Sequence, residues 1–242
     1  FGFDVNDESF WVYEATASWM ETQAHPEDQD VVDYTESVFF EPDLCIGSAN
    51  DETGLRIYGE WLLIDSLAQD FGGPAIIKLW EYIADFEGMT PFYSYLDDLG
   101  TTPQDVIRRY AVRNLLRHYE IGSLFPEVVA IEAVIDDFGS FTPSRDGVEE
   151  LAVDYMLVRR KGIYGFRVQP ANFDLVMVGI SRDDEPAQVI DLGQSGVVDT
   201  TRFSHAYLIV MNTTQHDDPA ACTMVDWSIT VTDGNGQEPT LP

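Results

Sequence analysis

Apolar and polar positions follow two rhythms in this chain, and the change falls near residue 125. Before it, apolar residues recur every three or four positions, the period of a helix buried on one side. Trp11, Ala15 and Trp19 mark a first helix, with Ser9 as its cap and Asp7 and Glu8 favourable near its start. A short second helix is predicted over about 30–40, stopping before Pro42. After a polar loop from Gly47 to Gly54, Tyr58, Trp61, Leu62, Leu67 and Phe71 mark a third, ended by Gly72-Gly73. Pro74 opens a fourth, and Thr102-Pro103 a fifth whose arginines cluster toward its C-terminal end.

From Val128 onward the runs are short, alternating or β-branched. They cover Val128–Val134, Leu151–Val158, Tyr164–Val168, Phe173–Ile180, Gln188–Leu192, Ala206–Asn212 and Met224–Thr232, with turn residues between them. This spacing predicts an antiparallel β-sandwich. The expected class is α+β in two domains: residues 1–125 helical, 126–233 a β-sandwich, and 234–242 a flexible tail or linker. The stretch Gly139–Gly147 reads as a connector.

Charge narrows the partners. Forty-three acidic residues against 13 basic ones give a net charge of −30. Such a surface repels nucleic acid and anionic membranes, and DNA and RNA are excluded as partners. The acids are scattered in small groups such as Asp28-Gln29-Asp30, Asp97-Asp98 and Asp183-Asp184-Glu185. They read as a solvated face, with calcium in acidic loops as a motif-free candidate. No apolar run approaches the length of a membrane span. The two cysteines, Cys45 and Cys222, are too few for a disulfide scaffold. One bridge between the domains of an exported protein and two separate thiols both remain open.

The candidate chemistry lies in the first helix. Trp11-Val12-Tyr13-Glu14-Ala15-Thr16-Ala17-Ser18-Trp19-Met20-Glu21 places Glu14 and Glu21 two turns apart on one face. A carboxylate beside buried aromatics must be paired, protonated or bound to a metal. The run resembles the helix that supplies the third zinc ligand in gluzincin metallopeptidases, of the aminopeptidase-N-like branch and of secreted bacterial metalloprotease-like proteins. Ile57-Tyr58-Gly59-Glu60-Trp61 resembles the helix that follows in those enzymes, with Gly59-Glu60 in place of their Glu-Lys. The resemblance implies a zinc-dependent, secreted or cell-surface hydrolase acting on a peptide or protein substrate. Glu14 would be a metal ligand, Tyr58 would donate to the oxyanion, and Glu21 would orient a zinc-binding His by accepting its ring N–H.

The H-E-x-x-H helix that completes such a site is absent. The resemblance therefore implies a C-terminal part of a peptidase, inactive alone, whose two zinc-binding His lie in an N-terminal part of the same protein, before Phe1. His25, His118, His205 and His216 show no ligand spacing. Nucleophile elbows, phosphate loops and C-x-x-C pairs are also absent. The rival reading is a non-catalytic extracellular binding or adhesion module that uses its β-sandwich. Exposed aromatics among Tyr164, Phe166, Phe173, Phe203 and Trp227 would favour it.

Overall fold

The computed structural model describes residues 9–26, 30–48, 50–84, 88–143, 147–181, 185–235 and 240. Asp7, Glu8, Asp28, Gln29, Asp183, Asp184 and most of the expected tail lie outside these residues. The chain divides into two compact units. One comprises 1–129 with 215–222, the other 130–214 with 223–242.

In the first unit, α1 (Phe10–Ala24) buries Trp11, Val12, Ala15 and Trp19 along one stripe. Full burial of each large apolar side chain contributes ~1.5–3 kcal/mol. The stripe packs on α4 (Arg56–Gly59) and α5 (Trp61–Phe71). Trp19 donates its indole N–H to Asp65 at 3.0 Å. Ser9 sits at the N-cap position of α1 but forms no side-chain capping bond there. The expected single helix over 30–40 is two, α2 (Asp30–Asp33) and α3 (Thr35–Phe40). Gly59 lets α4 approach the turn at Tyr34, since a Cβ there would lie 2.3 Å from the Tyr34 carbonyl oxygen.

The first unit continues with α6 (Gly73–Ile83), α7 (Thr90–Asp98) and α8 (Pro103–Leu116). Helix α7 has no counterpart in the predicted set. Thr102 caps α8 by accepting the Asp105 amide. Arg109 and Arg113 of α8 clamp Asp70 at the end of α5. Burial raises the Asp70 pKa, but the two guanidinium hydrogen bonds outweigh it and leave the carboxyl below its ordinary value.

Residues 215–222 belong to this helical unit although strands precede and follow them. The Met89 amide donates to Asp217 O, and Tyr93 Oη donates to His216 O at 2.7 Å. Cys222 is disulfide-bonded to Cys45, so the bridge lies within the helical unit and does not join two domains.

The second unit is a two-sheet sandwich. Its strands are β1 (Ala133–Ile135), β2 (Gly139–Phe141), β3 (Val153–Val158), β4 (Ile163–Gln169), β5 (Phe173–Ile180), β6 (Gln188–Gly193), β7 (Ser195–Asp199), β8 (His205–Asn212) and β9 (Ser228–Asp233). One sheet runs β1-β3-β8-β5-β6 and the other β2-β9-β4-β7. The expectation of a purely antiparallel sandwich is corrected at one edge, where β1 pairs with β3 in parallel. The predicted connector contains β2, which joins the opposite sheet through β9. Between the sheets, Met156, Phe166, Phe173, Leu175, Leu208 and Ile229 belong to one core.

Candidate binding surface

Alternation along β4 and its neighbours sets the outer face of the four-stranded sheet. Tyr164, Phe166 and Val168 point into the core, which leaves Gly165, Arg167 and Gln169 on the other side. Strand register aligns Ser140 of β2 with Thr230 of β9, Thr230 with Arg167 of β4, and Arg167 with Ser195 of β7. One row of hydroxyls with a central guanidinium thus crosses all four strands, about 14 Å at the usual strand spacing.

Two depressions meet at this row. The larger has a volume of about 650 Å³ and is lined by Arg167, Gln169, Ser195, Asp226 and Ser228, among others. The smaller, about 310 Å³, is lined by Gly165, Arg167, Ser195, Thr230 and Thr232. Both share Arg167 and Ser195, so they form one trough. Gly165 keeps its floor low, and a Cβ there would come within 2.7 Å of Thr232 Oγ1. The loop after β4 shapes one end. Gln194 donates to Ala171 O, the Val168 amide donates to Gln194 O, and the Gln169–Pro170 bond is cis.

Several polar groups of the trough are unspent, although Gln194 and Thr232 are not among them. Among the described residues, the side chains of Arg167, Gln169, Ser195, Ser228 and Thr230 make no hydrogen bond or ion pair. An exposed, uncommitted cation stands out in a chain of net charge −30. A guanidinium held in a shallow groove is suited to a carboxylate, which it can engage through two parallel N–H donors.

Trp227 and Phe166 line the trough but expose almost none of their surface to it. Tyr164, Phe166, Phe173, Phe203 and Trp227 are all 4% exposed or less and belong to the core. Trp227 spends its indole N–H on Asp154 at 2.7 Å. No aromatic platform among these five is open to a sugar ring.

The candidates in the helical unit are placed as follows. Glu14 is half-buried on α1, and Glu21 is exposed on the same helix. Tyr58, on α4, lies against Tyr34 with ring centroids 5.3 Å apart. The Tyr34 phenol is raised above its ordinary pKa by burial first, and then by Glu21, Asp30, Tyr58 and Asp33. Among the described residues, the group of His, Cys and acidic side chains close enough to hold a metal is Cys45, His216 and Cys222, and it does not include Glu14. A groove of about 570 Å³ also opens in this unit, beside Trp11, Gly47 and Asp51. Asp51 is already committed there, accepting from Thr53 Oγ1 and from the Leu55 and Arg56 amides.

No family model matches the chain, and no curated protein matches it. Solved structures do. One is a mutant of PliG, a periplasmic lysozyme inhibitor of g-type lysozyme from Escherichia coli. It is 16% identical, with 43% of this chain and 100% of that one covered and a TM-score of 0.29. Another is PliG from Salmonella Typhimurium, 14% identical, covering 41% and 96%, with a TM-score of 0.25. Neither is a gluzincin. Likenesses at these scores carry no activity over to this chain.

The gluzincin resemblance is therefore corrected, and with it the zinc-peptidase and hydrolase readings: no family model or curated protein supports a peptidase, and these two similar structures are lysozyme inhibitors. Packing accounts for the tryptophans that carried the resemblance. Trp11 meets Phe92 edge-on at 5.6 Å, and Trp19 bonds Asp65. Both anchor α1 to neighbouring helices whatever Glu14 does.

Sequence reading missed Arg167. The available signal was a lone cation at an outward position of an alternating strand, flanked by Gly165 and Gln169 in an acidic chain.

Proposed function

We propose that this chain is a non-catalytic binding module of an exported protein, and that the outer face of the four-stranded sheet is its contact surface. The observation that carries the reading is the trough at Arg167, where a guanidinium, flanking hydroxyls and the Gln169 amide are uncommitted. The partner is a protein that presents one carboxylate to Arg167 and is basic elsewhere. The basic character follows from the net charge of −30, which steers cationic surfaces toward the module. The buried aromatics favour a protein over a glycan, since sugar faces stack on exposed rings. The Cys45–Cys222 bridge supports an oxidising compartment, the periplasm or the exterior. No helix among the described residues is long and apolar enough to cross a membrane.

The test is amide chemical-shift mapping on the full chain. The probe is an extended, lysine-flanked synthetic peptide with a free C-terminal carboxylate. Shifts concentrated on Gly165–Gln169, Ser195–Val197 and Ser228–Thr232 are expected. Shifts confined to the helical unit, or scattered over acidic loops, would overturn the assignment.

A further inference from the structure

Cys45, His216 and Cys222 form a cluster that the binding reading does not use. One ligand atom from each lies within 4.8 Å of the others, and all three residues are buried. We infer that reduction of the Cys45–Cys222 disulfide converts this cluster into a zinc site, with two thiolates and the His216 imidazole as ligands.

The donor set fits. Zinc takes thiolate and imidazole in tetrahedral sites, with Zn–S near ~2.3 Å and Zn–N near ~2.0 Å. Ligand atoms of such a site lie roughly 3.5–4 Å apart; the three here lie within 4.8 Å of one another, and the two bonded sulfurs separate on reduction to take up that spacing. Two thiolates also neutralise the divalent ion, so the filled site buries no net charge. A water completes the fourth position.

Hydrogen bonds hold the frame alongside the bridge. The segment carrying His216 and Cys222 is held by Met89 N–H to Asp217 O at 2.9 Å and by Tyr93 Oη to His216 O at 2.7 Å. Its turn is capped by Asp218, which accepts the Ala220 amide. The Cys45 segment is held from the other side. Arg56 donates to the carbonyls of Glu41, Leu44 and Cys45, and the Gly47 amide donates to Glu60. Cleaving the sulfur–sulfur bond removes none of these contacts.

The reductant is a dithiol. Its two sulfurs form a new disulfide, the Cys45–Cys222 bond breaks, and two protons pass from the dithiol to the cysteine sulfurs. Zinc binding then releases those two protons. The site is closed to metal in the oxidised state and opens on reduction.

The experiment uses the full chain, oxidised or reduced with a dithiol and freed of it anaerobically, and titrated with cobalt(II) and then zinc. The reduced chain is expected to bind one cobalt with a thiolate-to-metal charge-transfer band, which zinc displaces. His216→Ala should weaken binding about tenfold or more, no less than loss of a supporting residue costs. His216→Cys should restore the band. The His216 contact to Tyr93 uses the backbone carbonyl, so the Ala variant keeps it. Should reduction unfold the helical unit, zinc is expected to restore its circular-dichroism signal in the wild type and not in His216→Ala. Equal uptake by the oxidised chain, no charge-transfer band, or unchanged affinity in His216→Ala would each overturn the inference.

Discussion

Glu60 makes the stability of the helical unit depend on pH. Its side chain is 2% exposed at the junction of α4 and α5. Oε1 accepts the Gly47 amide at 2.7 Å and lies 3.5 Å from Arg56 Nε, while Oε2 has no hydrogen-bond partner among the described residues. Burial raises the carboxyl pKa to about 7, and the opposing pull of Arg56 and the Gly47 amide does not cancel it. Arg56 spends most of its donors on the carbonyls of Glu41, Leu44 and Cys45, which limits what it gives to Glu60.

A carboxyl whose pKa is higher folded than unfolded favours the fold while protonated. Its contribution is full below the unfolded value and is lost as pH rises toward the folded one. Between pH 5 and pH 8 the folded value near 7 gives a loss of roughly 2–3 kcal/mol. Glu60→Gln keeps an acceptor for Gly47 and cannot titrate. Urea unfolding followed by helical circular dichroism at both pH values, in wild type and variant, gives four free energies. The many surface acids contribute equally to both proteins and cancel in the difference. The variant should lose less stability than wild type over this range, by that amount. Equal pH dependence in the two proteins, within about 0.5 kcal/mol, would show that Glu60 ionises normally and refute the reasoning.

The disulfide closes a loop across 177 residues. Cys45→Ser in metal-free buffer should therefore destabilise the helical unit by roughly 3–5 kcal/mol, read from its denaturant midpoint. A shift below about 1 kcal/mol would mean that the hydrogen bonds of 215–222 hold this segment alone. Trp227→Phe removes the indole donor from buried Asp154. It should lower the unfolding free energy of the sandwich by about 1–3 kcal/mol, and an unchanged value would show the bond to be dispensable.

The two rhythms of the sequence told the helical part from the β part because each element buries one face. Where that condition fails, the pattern misled. Helix α7 is short and begins at Thr90-Pro91, and its buried Phe92, Tyr95 and Leu96 are too few to establish a period. Strand β7 passes for a turn because it is short and carries Gly196. Strand β5 is buried on both sides, Val176 and Val178 as fully as Leu175 and Met177, so its run is continuous rather than alternating, and the run still marked Phe173–Ile180 correctly. The return of 215–222 to the helical unit depends on single long-range hydrogen bonds and one disulfide, which leave no local pattern.

The candidate site was less legible than the fold. Trp11 and Trp19 drew attention to Glu14, yet their spacing is what packing of α1 requires. Arg167 bears no motif. It becomes notable only when register sets Thr230 and Ser195 beside it and Gly165 opens the floor.

The most direct test of the binding account is a thermodynamic cycle on Arg167. The lysine-flanked peptide is prepared with a free C-terminal carboxylate and as its C-terminal amide, and both are titrated into wild type and Arg167→Gln by calorimetry. A charge-assisted bond between guanidinium and carboxylate predicts that wild type prefers the acid by ~1.5–3 kcal/mol, about tenfold or more in Kd. Arg167→Gln should erase that preference while leaving affinity for the amide unchanged. Equal binding of acid and amide by wild type, or a preference that survives Arg167→Gln, would contradict the account.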